Sequence, residues 1–136
     1  MARILITLVI AALISGCANR ACELCGRWRS NAELTLAEME KTPDLSEKKR
    51  QFFRDGFYGR LVIETKAHEL RTYFQDQSST SAAWEPWQIV SRSGDTFTTK
   101  YFFEGEPMVH VITLNGSCYK VLQPSLGFAE WFCKEP

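Results

Sequence analysis

From Phe57 to Lys134 the chain alternates apolar and polar residues and is broken at short intervals by turn residues. A period of two over so long a stretch fits half-buried strands, and short polar breaks join them as neighbours, so the pattern calls for an antiparallel meander. "FYGRLVIET" (57–65) and "HELRTYFQD" (68–76) flank Lys66-Ala67. After the polar loop "QDQSSTSAA" (75–83), "WEPWQIVSR" (84–92) and "DTFTTKYFF" (95–103) meet around Ser93-Gly94. "EGEP" turns into "MVHVITL" (108–114), Asn115-Gly116 is a two-residue hairpin signal, and "SCYKVLQ" (117–123) follows. "PSLG" leads to the last strand, "FAEWFCK" (128–134).

Ahead of the meander, "CGRWRSN" (25–31) reads as a first strand. Thr35-x-x-Glu38 has the form of a capping box, and Leu34, Leu36 and Met39 give a short helix an apolar side. Beyond Pro43 a second helix is expected from Leu45 to Arg54, burying Leu45, Phe52 and Phe53 and ending at Gly56. The expected class is mainly β: a small antiparallel barrel of about eight strands, with a helical pair inserted after the first.

Register follows from the turns. A turn centred on Asn115-Gly116 sets Ile112 opposite Tyr119 and His110 opposite Val121; one over Pro124–Gly127 sets Val121 opposite Glu130 and Cys118 opposite Cys133. One face then carries Phe97, Tyr101, Phe103, Met108, His110, Ile112, Leu114, Tyr119, Val121, Phe128, Glu130 and Phe132. The other carries Thr96, Thr98, Lys100, Val109, Val111, Thr113, Lys120 and Trp131. The first is far more apolar and should face inward. Within it Tyr101, His110, Tyr119 and Glu130 are the polar groups able to meet a ligand, with His110, Tyr101, Val121 and Glu130 expected in one row. His68 falls in a turn and is expected in solvent.

The N-terminus has a different character. "MARILITLVIAALISG" (1–16) sets Arg3 before an eleven-residue apolar or weakly polar run, Ile4–Ile14. As a helix that run is ~16 Å long, short of the ~20 residues that cross a bilayer, so it reads as a secretory leader. Its end, Ile14-Ser15-Gly16-Cys17, resembles the lipobox of bacterial lipoproteins. The resemblance implies cleavage before Cys17 and lipid modification of Cys17, anchoring the protein to a membrane of the bacterial envelope. In that family an Asp after the cysteine favours inner-membrane retention. Ala18 implies instead the periplasmic side of the outer membrane in a Gram-negative host. The expected organisation is a leader over 1–16, a lipidated start and short tether over 17–21, and one domain over 22–136.

Removing the leader leaves 15 basic and 16 acidic residues, formally −1, with no basic block or acidic tail. That balance points away from nucleic acid and from an electrostatic membrane patch. Four cysteines remain, Cys22, Cys25, Cys118 and Cys133, an even set that in an exported chain reads as two disulfides. Cys22–Cys25 with Cys118–Cys133 is one self-consistent pairing; the rival joins the N-terminal pair to the C-terminal strands. Cys22-Glu-Leu-Cys25 also has the spacing of a redox dithiol or half a zinc site, but a strand-like segment follows rather than the helix a reactive thiolate favours. No phosphate loop, nucleophile elbow or histidine metal pair is present, so no cofactor, metal or catalytic set is expected.

Gly26-x-Trp28 on the first strand, followed by helices and a meander, resembles the lipocalin/calycin superfamily, and the early helical pair its fatty-acid-binding branch. The likeness implies a barrel that binds a small hydrophobic or amphiphilic molecule. An eight-stranded interior is either filled by side chains or just wide enough for one small ligand, and the sequence leaves both open. The alternative is a protein-interaction module of the envelope, with Trp84-Glu-Pro-Trp87 as an aromatic patch for a partner protein.

Overall fold

The computed structural model describes residues 22–136. The leader, the lipobox with Cys17, and the tether expected over 1–21 lie outside the described residues.

The element order is β1 (Gly26–Ser30), α1 (Ala32–Glu40), α2 (Glu47–Arg54), β2 (Leu61–Thr65), β3 (Glu69–Phe74), β4 (Glu85–Ser93), β5 (Thr96–Phe103), β6 (Glu106–Asn115), β7 (Cys118–Gln123) and β8 (Phe128–Lys134). Every strand pairs antiparallel with the next, and β1 also pairs with β8, so the sheet closes into an eight-stranded barrel. The meander and the inserted helical pair are as the alternation predicts.

The β7–β8 register has Cys118 opposite Cys133 and Val121 opposite Glu130, as the Pro124–Gly127 turn requires. The β6–β7 register differs from expectation. Ile112 pairs with Val121, not Tyr119, because Asn115 pairs with Cys118 and the loop is Gly116-Ser117, with Gly116 at φ 62°. The slip is two residues, so every side chain keeps its face. It does break the expected row: His110 stands opposite Thr99, while the row of Glu130 holds Val121 and Ile112.

Both disulfides form, Cys22–Cys25 and Cys118–Cys133. Lys134 N–H donates to the Ser117 carbonyl at 2.8 Å, which makes the adjacent Cys118/Cys133 position a non-hydrogen-bonded pair. Such pairs are the closer ones, and here the Cα atoms approach to 4.0 Å.

Both helices are displaced from their sequence signals, α1 beginning earlier and α2 later. Asn31, not a Thr35 capping box, caps α1: its side chain accepts from Leu34 N–H at 2.9 Å. Thr35 is buried, and its hydroxyl accepts from Trp131 N–H at 2.9 Å, tying α1 to β8. Ser46 caps α2, which starts at Glu47 rather than Leu45. Phe53 is buried as expected, whereas Phe52 is 59 % exposed, because neighbouring positions on a helix point about 100° apart.

Apolar burial is concentrated at two levels. At the base of the barrel, where the β2–β3, β4–β5 and β6–β7 turns lie, Leu24, Trp28, Trp87, Phe97, Tyr119 and Phe132 pack together. Trp28 is 1 % exposed; its indole N–H donates to the Leu24 carbonyl at 3.0 Å, pinning the Cys22–Cys25 turn across the base as a plug. Gly26 beside it sits at φ 129°, a backbone conformation that residues with a Cβ rarely adopt. At the opposite end Met39, Phe53, Tyr58 and Phe128 join the helices to β8.

Residues 22–136 therefore contain the closed sheet, both disulfides and both buried clusters on which a fold of this segment rests. Trp28→Ala in this segment is expected to cost about 3–5 kcal/mol, read as a lowered urea midpoint. Trp131→Ala on the outer face should cost far less.

Candidate functional site

Between the two buried clusters the barrel is hollow. The cavity measures about 500 Å³, within the ~300–1,000 Å³ range of small-molecule sites. Its base is sealed by Leu24, Trp87, Ile112 and Phe132, all well buried. Its other end reaches Phe74, Gln77, Phe103 and Met108, whose exposure (52 % for Phe103) marks this end as the mouth. The helical pair covers only the β1/β8 side of that mouth, because α1 packs on β8 where the short strand β1 has ended.

All four residues singled out for ligand contact, Tyr101, His110, Tyr119 and Glu130, line the cavity. Tyr101 and His110 touch edge-on with ring centroids 5.2 Å apart, a diagonal rather than a directly opposed pair. Burial lowers the His110 pKa, favouring the neutral ring, and raises those of the Tyr101 and Tyr119 hydroxyls. Burial also raises the Glu130 pKa, partly offset by the Ser30 hydroxyl, which donates to Oε1 at 2.8 Å. Among the described residues that is the one hydrogen bond the Glu130 side chain makes. Gly59 N–H donates to the Ser30 oxygen at 3.0 Å and fixes its direction.

Three polar contributors escaped the sequence reading. Thr99, on the expected inward face but not picked out, is 1 % exposed, lines the cavity, and donates to the His110 carbonyl at 3.4 Å. Ser30 reaches Glu130 only through the β1–β8 closure, a hundred residues apart in the chain. Tyr58, 6 % exposed, has a buried hydroxyl with no hydrogen-bond partner among the described residues, near enough to Glu130 for that charge to raise its pKa further beyond the effect of burial.

The expected Trp84/Trp87 patch does not form. Trp87 points inward and is buried, while Trp84 lies outside under Lys66 and Arg71; an odd separation along a strand puts side chains on opposite faces. His68 is exposed in the β2–β3 turn. Cys25 runs directly into β1 and not into a helix. No three His, Cys, Asp or Glu side chains gather as a metal site would need, among the described residues.

Glu64, on the outer face, shows what a satisfied carboxylate looks like in this protein. Burial alone would raise its pKa, but Tyr73 and Arg71, both hydrogen-bonded at 2.6 Å, lower it. Glu130 forms no ion pair among the described residues, and no cation lowers its pKa.

No family model, curated protein or solved structure matches the chain. Function is therefore read from the cavity.

The two carboxylates should titrate stability with opposite sign. Native Glu130 keeps its proton at pH values where the unfolded chain has lost it, so its contribution falls as the pH climbs from about 4.5 through the native value. Glu64 stabilises above its unfolded value, and that stability is lost as the pH drops through its lowered native one. Chemical denaturation between pH 3 and 8 should show Glu130→Gln gaining on the wild type as pH rises and Glu64→Gln losing.

Proposed function

We propose that this protein is a lipid-anchored envelope lipoprotein whose barrel binds a small hydrophobic or amphiphilic molecule. The observation that carries the reading is the cavity: about 500 Å³, mostly apolar in its wall, closed at the base and open at the mouth. A fully packed domain interior leaves few voids larger than a water molecule, so a hollow of this size is a feature to be explained. The closed eight-stranded sheet is compatible with a lipocalin-like architecture, in line with the resemblance carried by Gly26-x-Trp28.

The lipobox resemblance at Ile14–Cys17 supports the anchor, and the base supports an orientation. The described chain starts at Cys22 beside the plug, and Ala18 to Ala21 span at most ~14 Å. A lipid on Cys17 then holds the closed base toward the bilayer and turns the mouth to the aqueous side. Ala18 favours the outer membrane, and the ligand enters from the periplasm.

A second reading, an interaction module for an envelope protein, is favoured by one surface. Val109, Val111 and Leu122 are exposed on the outer face of β6 and β7, where a partner would cover them. A photo-crosslinker at Val111 yielding one discrete adduct in intact envelopes would favour this reading over the carrier.

For the carrier, a solvatochromic dye titrated into residues 22–136 should bind at one site with a blue-shifted emission, and native mass spectrometry should show a 1:1 complex. Thr72→Trp, which fills the cavity from β3, should weaken the dye about tenfold or more, the loss of ~1.4 kcal/mol, without lowering the melting temperature. A dye that ignores the wild-type barrel, or binds Thr72→Trp equally well, counts against a ligand in the cavity.

A further inference from the structure

The polar groups of the cavity are unusual in sign. No lysine or arginine lines it among the described residues. The nearest cationic side chains on β1 and β3 are turned outward and engaged: Arg27 with Glu135, and Arg71 with Glu64. What the wall does contain is one carboxyl, Glu130, the His110 imidazole, and neutral hydroxyls and amides, among them the Tyr101 and Tyr119 hydroxyls; Tyr73 also lines it, but its hydroxyl is taken by Glu64. An anionic headgroup entering this space would meet a like charge and no counter-ion, in surroundings of low dielectric where both effects are strong.

A cation meets the reverse. Glu130 uses one oxygen on Ser30 and leaves the other without a hydrogen bond among the described residues. A buried carboxylate without a cation is costly, and a protonated amine would supply both charge and N–H donors. The hydroxyl oxygens of Tyr101 and Tyr119 and the neutral His110 ring can accept further N–H bonds, and the tyrosine faces favour a cation. The Tyr58 hydroxyl, near enough to feel the Glu130 charge, is a second buried polar group without a hydrogen-bond partner among the described residues.

We propose that the cavity selects cationic amphiphiles: molecules with an apolar body that fills the barrel and a protonated amine that pairs with Glu130. This rests on the carrier reading above and specifies its ligand; a fatty-acid-like anion is the class it rejects.

The test uses three probes with the same tail, dodecylamine, dodecanol and dodecanoate, below their micellar concentrations at pH 7. Each competes with an uncharged solvatochromic dye on residues 22–136. Dodecylamine should displace the dye at about tenfold or more lower concentration than dodecanoate, with dodecanol between them, as expected for a buried charge pair. Glu130→Gln, checked for a single cooperative melting transition no lower than that of the wild type, should erase the amine preference and keep dodecanol binding. Dodecanoate equal to or tighter than dodecylamine overturns the proposal while leaving the carrier standing, as does an amine preference that survives in Glu130→Gln. If Glu130→Gln does not fold, the order of the three probes on the wild type decides alone. Should neither the dye nor any probe enter the wild-type barrel, the carrier reading itself falls.

Discussion

The interior of this protein depends on β1, a five-residue strand that pairs with β2 along one edge and β8 along the other. It is the piece that turns an open meander into a barrel. Closure removes the two exposed edges an eight-stranded sheet would otherwise present. Its three inward residues each set one level of the interior. Gly26 takes the positive φ with which the chain enters the strand, Trp28 fills the base and holds the Leu24 plug, and Ser30 binds Glu130. Because β1 is shorter than β8, its place at the mouth falls to α1, whose Thr35 takes the Trp131 N–H. The cavity is the space left over, between a base filled by aromatic rings and a mouth that the helices cover on one side.

The fold was legible in the sequence to the extent that it is local. Alternation and short turns specify the meander, the inward face and the register that sets Cys118 opposite Cys133, since each depends on residues within about fifteen of one another, while the disulfide connectivity stayed open between two pairings. The β6–β7 slip shows the limit: Asn115-Gly116 announces a hairpin but not which two residues form its loop, and a two-residue slip preserves the pattern being read. The helix caps failed for a related reason. Thr35 fits a capping box by spacing, yet its hydroxyl is taken by β8, a contact that exists only after closure. Trp84 and Trp87 lie three apart, and strand geometry alone would have separated them.

The site was legible only as a set of inward polar residues. Tyr101, His110, Tyr119 and Glu130 follow from face assignment, but their arrangement does not. Ser30 and Tyr58 are single polar residues without local signal; they matter because closure and the helical turn bring them to Glu130. The contrast with Glu64 carries the chemical content. Both are strand glutamates, and face assignment marks Glu130 as inward without showing what either carboxylate meets. One is held ionised by Arg71 and Tyr73 on the outer face, while the other faces an apolar hollow with a serine as its one bonded neighbour. A protein that neutralises one carboxylate and leaves its fellow uncompensated inside a cavity has its polar asymmetry where a ligand would sit.

The central claim is that the barrel is hollow. A crystal of residues 22–136 pressurised with xenon tests it directly, because xenon occupies dry apolar cavities. A hollow barrel should show xenon density enclosed by Leu61, Val121 and Phe132, between the base and the mouth. An interior filled by inward-turned side chains, with no xenon at that level, would contradict it.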